Sequence, residues 1–174
     1  QQHYSGQAQL SYLSQLAGIV TLQVVTPMMG LAIAAAMLRG FLGGRHAATA
    51  TEGEPRDVGN FYVDVTRLSV RAFLPAALLL GVLPAALLLG VLLAAQGVPS
   101  TLGGAATVIP LDASAGMSEQ VIPLGPVAPM VAVKQLGTNG GGWYGPNSAV
   151  PLENPTPLTN LLQTVAILVF PIAA

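Results

Sequence analysis

Three long apolar stretches, separated by polar or glycine-rich connections, organise this chain. The first runs from about Leu10 to Leu38 and stops at Arg39. Pro27 and Gly30 fall inside it, so the pattern predicts either a kinked membrane helix or a helix broken to line a path. The polar, Gly- and Ala-rich stretch 43–59 follows, and the second apolar stretch is free of charge from Ala72 to about Gln96. A loop rich in Gly, Pro and Ser then carries Asp112 and Glu119. Ala128 to Leu136 is a short helix candidate; at 1.5 Å per residue it spans only about 14 Å, too little for a bilayer. Behind it stand the run GTNGGG (Gly137 to Gly142), Trp143-Tyr144, a polar Pro-rich connection, and a last apolar run from Pro157. Thr156 is placed to cap that run, with Pro157 in its first turn.

Composition turns these stretches into membrane spans. Charged residues make up 7% of the chain and hydrophobic ones 52%, with a mean hydropathy of +0.65. A soluble domain carries about 25% charged residues to cover its surface, and a bilayer needs roughly 20 consecutive apolar residues per helix. A net charge of −1 offers no basic face for nucleic acid. The absence of cysteine removes disulfides and Cys-based metal sites. The chain opens on Gln1-Gln2-His3 without a Met or a signal-peptide pattern and stops at Ala174 inside an apolar run, so it is expected to be an internal piece of a larger protein.

The basic residues orient the spans. Arg39, Arg45, Arg56, Arg67 and Arg71 lie on the connection between the first two spans and only Lys134 lies elsewhere. Lys and Arg concentrate in short cytoplasmic loops, which places that connection inside and Asp112, Glu119 and Glu153 outside. Arg67 and Arg71, four apart, are expected on one helix face, snorkelling to headgroups. His46, with acids nearby, reads as a solvated loop histidine rather than a metal ligand.

One feature is unusual. LPAALLLGV occurs twice in tandem, at Leu74 to Val82 and at Leu83 to Val91. Nine extra helical residues add about 13.5 Å and rotate everything downstream by about 180°. A bulge, a break at Pro84 or a protruding helix end is expected to absorb this.

A half-length helix, a Gly-rich loop and a returning span describe a re-entrant pore loop, which survives at membrane depth only when buried in protein or lining a cavity. A filter for a large, weakly hydrated cation replaces its water with rings of carbonyl oxygens. Gly adopts the dihedrals this requires without steric cost. Thr138 offers a hydroxyl or carbonyl oxygen, Asn139 a bracing hydrogen bond, and the loop contains no carboxylate. The other reading of the same residues is a flexible extracellular turn ending in an aromatic interface anchor, Trp143-Tyr144. A phosphate loop is disfavoured, because no Gly-Lys-Ser/Thr follows the glycines.

The chain resembles the KdpA family, the potassium-binding subunits of bacterial potassium-translocating P-type ATPases. The resemblance is carried by HYSGQAQLSYLSQLAG near the start, LRGF at Leu38 to Phe41 and GNFYVDVTR at Gly59 to Arg67. It continues through GPVA at Gly125 to Ala128 and GTNGGGWYGPNSAVPLENPTPLTN at Gly137 to Asn160. It departs at Thr26-Pro27-Met28-Met29, where relatives usually carry small residues, and at the LPAALLLGV repeat, which they carry once.

The resemblance implies an all-α polytopic membrane protein with four span–pore loop–span repeats around a pseudo-fourfold axis, of which this chain is a fragment. On that mapping 1–42 holds the closing span of repeat one, 43–59 a cytoplasmic loop, and 60–97 the opening span of repeat two with the tandem duplication at 74–91. Residues 98–127 are an extracellular loop, 128–142 pore helix and filter, 143–156 a polar connection, and 157–174 a truncated closing span. The implied filter is Thr138, Asn139, Gly140, Gly141 and Gly142, supported by Gly137, Trp143 and Asn147. Potassium would be held by the backbone carbonyls of Thr138, Asn139, Gly140 and Gly141, with no organic cofactor. The implied setting is the bacterial inner membrane, with a P-type catalytic subunit and small accessory subunits as partners. The chain has no Asp-Lys-Thr-Gly phosphorylation motif, so ATP hydrolysis falls to the partner. An ATP-independent channel or secondary transporter of the same superfamily is the alternative function, and a degenerate fragment that merely packs beside other spans is the structural one.

Overall fold

A predominantly apolar run builds Ser14–Leu42, among the described residues the longest helical segment, 29 residues with a mean hydropathy of 1.8 over its most apolar 18-residue window. Its length of about 43 Å exceeds the roughly 30 Å of bilayer hydrocarbon. The computed structural model describes residues 6–42, 58–73, 82–112, 114, 116–138 and 142–173. Within it, a short helix α1 (Gly6–Gln9) precedes a π-helical stretch, Ser14–Ile19, which leads into α2 (Val20–Leu42). Among the described residues this is the one helical segment long and apolar enough to cross a membrane. Leu22, Leu31, Ile33 and Phe41 are exposed on it, so much of its surface requires lipid or further protein as cover. α2 is continuous through Pro27, which corrects the broken-helix reading of Pro27 and Gly30. A single missing N–H removes one rung, and the rest of a long ladder carries the helix past it.

The chain divides into two units, Gln1–Gln23 with Pro84–Ala174, and Val24–Leu83. In the second unit the rest of α2 meets α3 (Phe61–Arg67) and a π-helical stretch, Leu68–Phe73. Asn60 caps α3, its side chain accepting from Val63 N–H at 3.1 Å. Arg39 grips Asp64 with both guanidinium nitrogens, at 2.5 Å and 3.0 Å, and also donates to Val58 O at 3.1 Å. Ser69 Oγ lies 3.0 Å from Met28 Sδ, so the two helical segments run in opposite directions. Sequence spacing does not reveal the π-helical stretch. Because Arg71 lies within it, the shared face expected for Arg67 and Arg71 from α-helical spacing does not follow.

The first unit holds the remaining elements. The second copy of LPAALLLGV forms most of α4 (Val82–Ala95). α4 is continuous through Pro84 from Val82 onward, so no break occurs at Pro84 among the described residues. The first copy, where a bulge or protruding end is expected, lies outside the described residues apart from Val82. His46, Arg45 and Arg56 lie outside them as well. Among the described residues no three His, Cys, Asp or Glu side chains gather as metal ligands.

The 98–127 loop contains a β-hairpin that the all-α expectation missed. β1 (Ala105–Val108) pairs antiparallel with β2 (Gln120–Pro123), in register from Ala105 with Pro123 to Val108 with Gln120. Thr107, Val108, Val121 and Ile122 suit extended backbone. Among the described residues the fold is thus mostly helical with one small sheet. Two further bonds, Leu124 N–H to Gly104 O (2.8 Å) and Thr101 N–H to Gly125 O (3.1 Å), zip the hairpin down to α5 (Val127–Leu136). There Pro99 O accepts the otherwise free N–H of Ala128 at 3.0 Å. Tyr12 reaches the same junction, its hydroxyl donating to Leu124 O (2.8 Å) and lying 3.2 Å from Gly104 O.

α5 is the core. Val127, Ala128, Met130, Val131 and Ala132 are buried together with Leu89 and Leu93 of α4, Val98, Trp143, Tyr144 and Ala166. α6 (Pro157–Ala173) closes the unit. Its start is as the sequence predicts: Thr156 Oγ1 accepts from Thr159 N–H at 3.1 Å, and Thr159 Oγ1 returns the favour to Thr156 N–H at 3.0 Å. This is a reciprocal capping box with Thr in place of Glu.

Candidate functional site

α5 coincides with the short helix expected at 128–136, and its length of about 15 Å equals about half the hydrocarbon thickness of a bilayer. Its C-terminus delivers the Gly-rich run. Gly137 packs so closely on the first unit's N-terminal segment that a Cβ there would stand 2.5 Å from the backbone oxygen of Gln23. Only a glycine fits that approach. Thr138 follows with φ of +57°, and its N–H bonds to Gln135 O at 3.1 Å. That bond is one of the two that define a Schellman turn, whose left-handed residue is usually Gly. A β-branched residue in that conformation costs about 1–2 kcal/mol. Replacing Thr138 with Gly is therefore expected to stabilise the full-length subunit by about 1 kcal/mol, checked by thermal unfolding in detergent, while removing the hydroxyl at the head of the loop. Asn139, Gly140 and Gly141 lie outside the described residues.

Gly142 re-enters the described chain against a buried ion pair. Lys134 Nζ lies 3.4 Å from Glu153 Oε2, and the two side chains are 1% and 0% exposed. A Cβ on Gly142 would stand 2.6 Å and 3.0 Å from the two Glu153 oxygens and 3.1 Å from Lys134 Nζ. Sequence reading places Glu153 among the acids facing outside. In the fold that acid is buried, and backbone donors and a lysine replace its water: Oε1 accepts from Tyr144 N–H at 3.1 Å and Oε2 from Ser148 N–H. Lys134 Nζ also donates to Ser148 Oγ, as does Gln135 Nε2 at 3.3 Å. Gln135 Nε2 further donates to Gln163 Oε1, and Gln163 Nε2 to the backbone oxygen of Glu153, both at 2.8 Å. A carboxylate, absent from the loop itself, is thus brought against it from downstream.

Trp143 is buried, which removes the reading of it as an exposed interface anchor. Its ring lies 5.3 Å from that of Tyr12 and against Gly125, where a Cβ would stand 2.1 Å from the indole. Tyr144 donates from its hydroxyl to Pro123 O at 2.6 Å. Burial, then the charge of Glu153, push its phenol up to about 12, so the donor keeps its proton across the neutral range. Asn147 is exposed and serves through its backbone: with Ser148 it adopts positive φ (63° and 70°), turning the chain toward Glu153.

Of the residues singled out by sequence, Gly137, Thr138 and Gly142 are gathered at the C-terminal end of α5, while the Trp143 ring lies against Gly125, ahead of the helix start. Lys134, Gln135, Ser148, Glu153 and Gln163 were missed. The available signal was that Lys134 and Glu153 stand almost alone as charges in an otherwise neutral stretch.

Residues 1–174 match the family described as KdpA, potassium-transporting ATPase A subunit. The chain belongs to the KdpA family. A potassium-transporting ATPase potassium-binding subunit of Pseudomonas putida is 44% identical over 172 residues, covering 99% of this chain and 27% of the relative. Two from Pseudomonas fluorescens are each 43% identical over the same coverage. The chain thus spans about a quarter of the length of these curated KdpA relatives.

Proposed function

We propose that this chain is part of the potassium-binding and translocating subunit of an ATP-driven potassium uptake complex, with Gly137 to Gly142 as one quarter of its ion filter. The observation that carries the proposal is the end of α5. A buried half-helix stops on a left-handed Thr138 and releases a glycine-rich loop that returns against a neutralised ion pair. The backbone carbonyls of Thr138, Asn139, Gly140 and Gly141 replace the water shell of potassium. Four such loops, from four span–pore loop–span repeats, complete the ring, so this segment is insufficient alone. The lysine cancels the charge of Glu153, so carbonyl dipoles rather than a net charge act on the ion.

In this reading the protein is multi-pass in the bacterial inner membrane, with the arginine-bearing connection in the cytoplasm and the 98–127 loop outside. The names of the relatives support an ATPase complex. The ion passes to a P-type catalytic subunit, which hydrolyses ATP with small accessory subunits beside it. The test is growth of a potassium-uptake-deficient strain at micromolar potassium on the full-length subunit with its ATPase partners. The wild type is expected to restore growth and Gly141→Asp to abolish it. Unchanged uptake in that variant would remove the loop from the ion path. Flux needing neither ATP nor the catalytic partner would identify a channel or secondary transporter instead.

A further inference from the structure

This inference rests on the filter reading above. We propose that Glu153 and Lys134 are positioning residues for the ion-selecting loop, and that discrimination among alkali cations depends on their pairing. A buried ion pair serving only to hold two helices together needs no contact with the loop. Here the carboxylate is spent on the loop itself: Oε1 takes the N–H of Tyr144 and Oε2 the N–H of Ser148, on the chain leaving the Gly-rich run. Gly142 lies directly against both oxygens.

Glu153 is itself held from two directions, at its carboxylate and at its backbone. Lys134 approaches from the half-helix that delivers the loop, and Gln163, on α6, donates to the backbone oxygen of Glu153. Gln135 joins the two helices by donating to Gln163. The chain entering the loop and the chain leaving it therefore share one buried acceptor. Removing charge from that acceptor frees the exit of the loop without unfolding the helices. A filter of backbone carbonyls separates ions through the placement of its oxygens or the strength of its coordinating dipoles, and both depend on how the loop is held.

Glu153→Gln tests this with almost no change of volume. The amide keeps one acceptor oxygen, but its NH2 group then faces donors, the N–H of Ser148 or the ammonium of Lys134. In the full-length subunit assembled with its ATPase partners, the variant is expected to raise the half-saturating potassium concentration at least about tenfold. Preference for potassium over rubidium and sodium should narrow several-fold, with turnover at saturating potassium within about twofold of wild type. A merely structural role would lower the amount of complex or its turnover and leave selectivity unmoved. Lys134→Arg, which keeps the positive partner, should retain most of the selectivity. The neutral double variant Lys134→Met/Glu153→Gln should not restore it, because the loop N–H groups still lack their carboxylate.

Wild-type half-saturation and selectivity in assembled Glu153→Gln complex would overturn the proposal. If that variant fails to assemble, Ser148→Ala decides, since it removes only the hydroxyl that ties Lys134 and Gln135 to the loop. A two- to threefold change in ion preference supports the proposal, and unchanged preference overturns it. Gly141→Asp in the same assay separates the two ideas. If it alters potassium handling while the Glu153 and Ser148 variants do not, the filter stands and the positioning role falls. If none of them alters it, the filter assignment itself fails.

Discussion

Gly142→Asp is expected to raise the half-saturating potassium concentration of the full-length complex by about a hundredfold or more, equivalent to about 2.7 kcal/mol. Two effects combine. The new Cβ would enter space already held by the Glu153 oxygens at 2.6 Å and 3.0 Å. The new carboxylate would then compete with Glu153 for one lysine, and two carboxylates sharing a buried site cannot both remain ionised without cost. Breaking a buried pair in this way costs about 3–5 kcal/mol, enough to displace the loop. A series separates the causes. Gly142→Ala tests the added carbon alone, Gly142→Asn adds the shape of the side chain, and Gly142→Asp adds its charge. Losses that grow in that order, measured as potassium-dependent uptake, are expected. Equal losses for Asn and Asp would make the effect steric, and wild-type uptake in Asp would remove Gly142 from the site.

Gly125→Ala is expected to be the second most damaging change, although it lies before the half-helix. A Cβ there would stand 2.1 Å from Trp143 Cζ2 and 2.6 Å from Cη2, so the ring must move. Trp143 is 1% exposed and packs on Tyr12, which leaves it little room. Overpacking costs about 1–3 kcal/mol and more where nothing yields, and the upper end applies here. Because Trp143 follows Gly142 directly, its displacement also moves the exit of the loop. A drop of about 3 kcal/mol in unfolding stability should therefore accompany a loss of potassium affinity of about tenfold or more. An unchanged unfolding temperature for the detergent-solubilised complex would refute the tight Gly125–Trp143 packing.

What the sequence reveals here follows from how local each cause is. α5 is legible because Pro126 and Gly137 bracket a short apolar run, and α6 because Thr156-Pro157 is a start signal written in adjacent residues. The hairpin is hidden because its two short strands are embedded in glycine, proline and serine, and their pairing joins Ala105 to Pro123 across the whole loop. The π-helical stretches at Ser14–Ile19 and Leu68–Phe73 carry no residue-level mark. Lys134 and Glu153 are separated in sequence and share no periodicity, so only the folded loop shows that Glu153 is a buried acceptor. The glycines of GTNGGG read in sequence as flexibility for the loop. Gly142 has a further reason to be small, the carboxylate behind it, which no spacing rule encodes.

The hydroxyl of Tyr12 has a consequence in time. Its acceptors, Gly104 O and Leu124 O, lie 92 and 112 residues further along the chain. At about 5–20 residues per second, a ribosome takes roughly 5 to 20 s to supply them. For that interval the N-terminal segment has already been made while the junction it anchors does not yet exist. Tyr12 can therefore anchor that junction only after the whole hairpin has been synthesised.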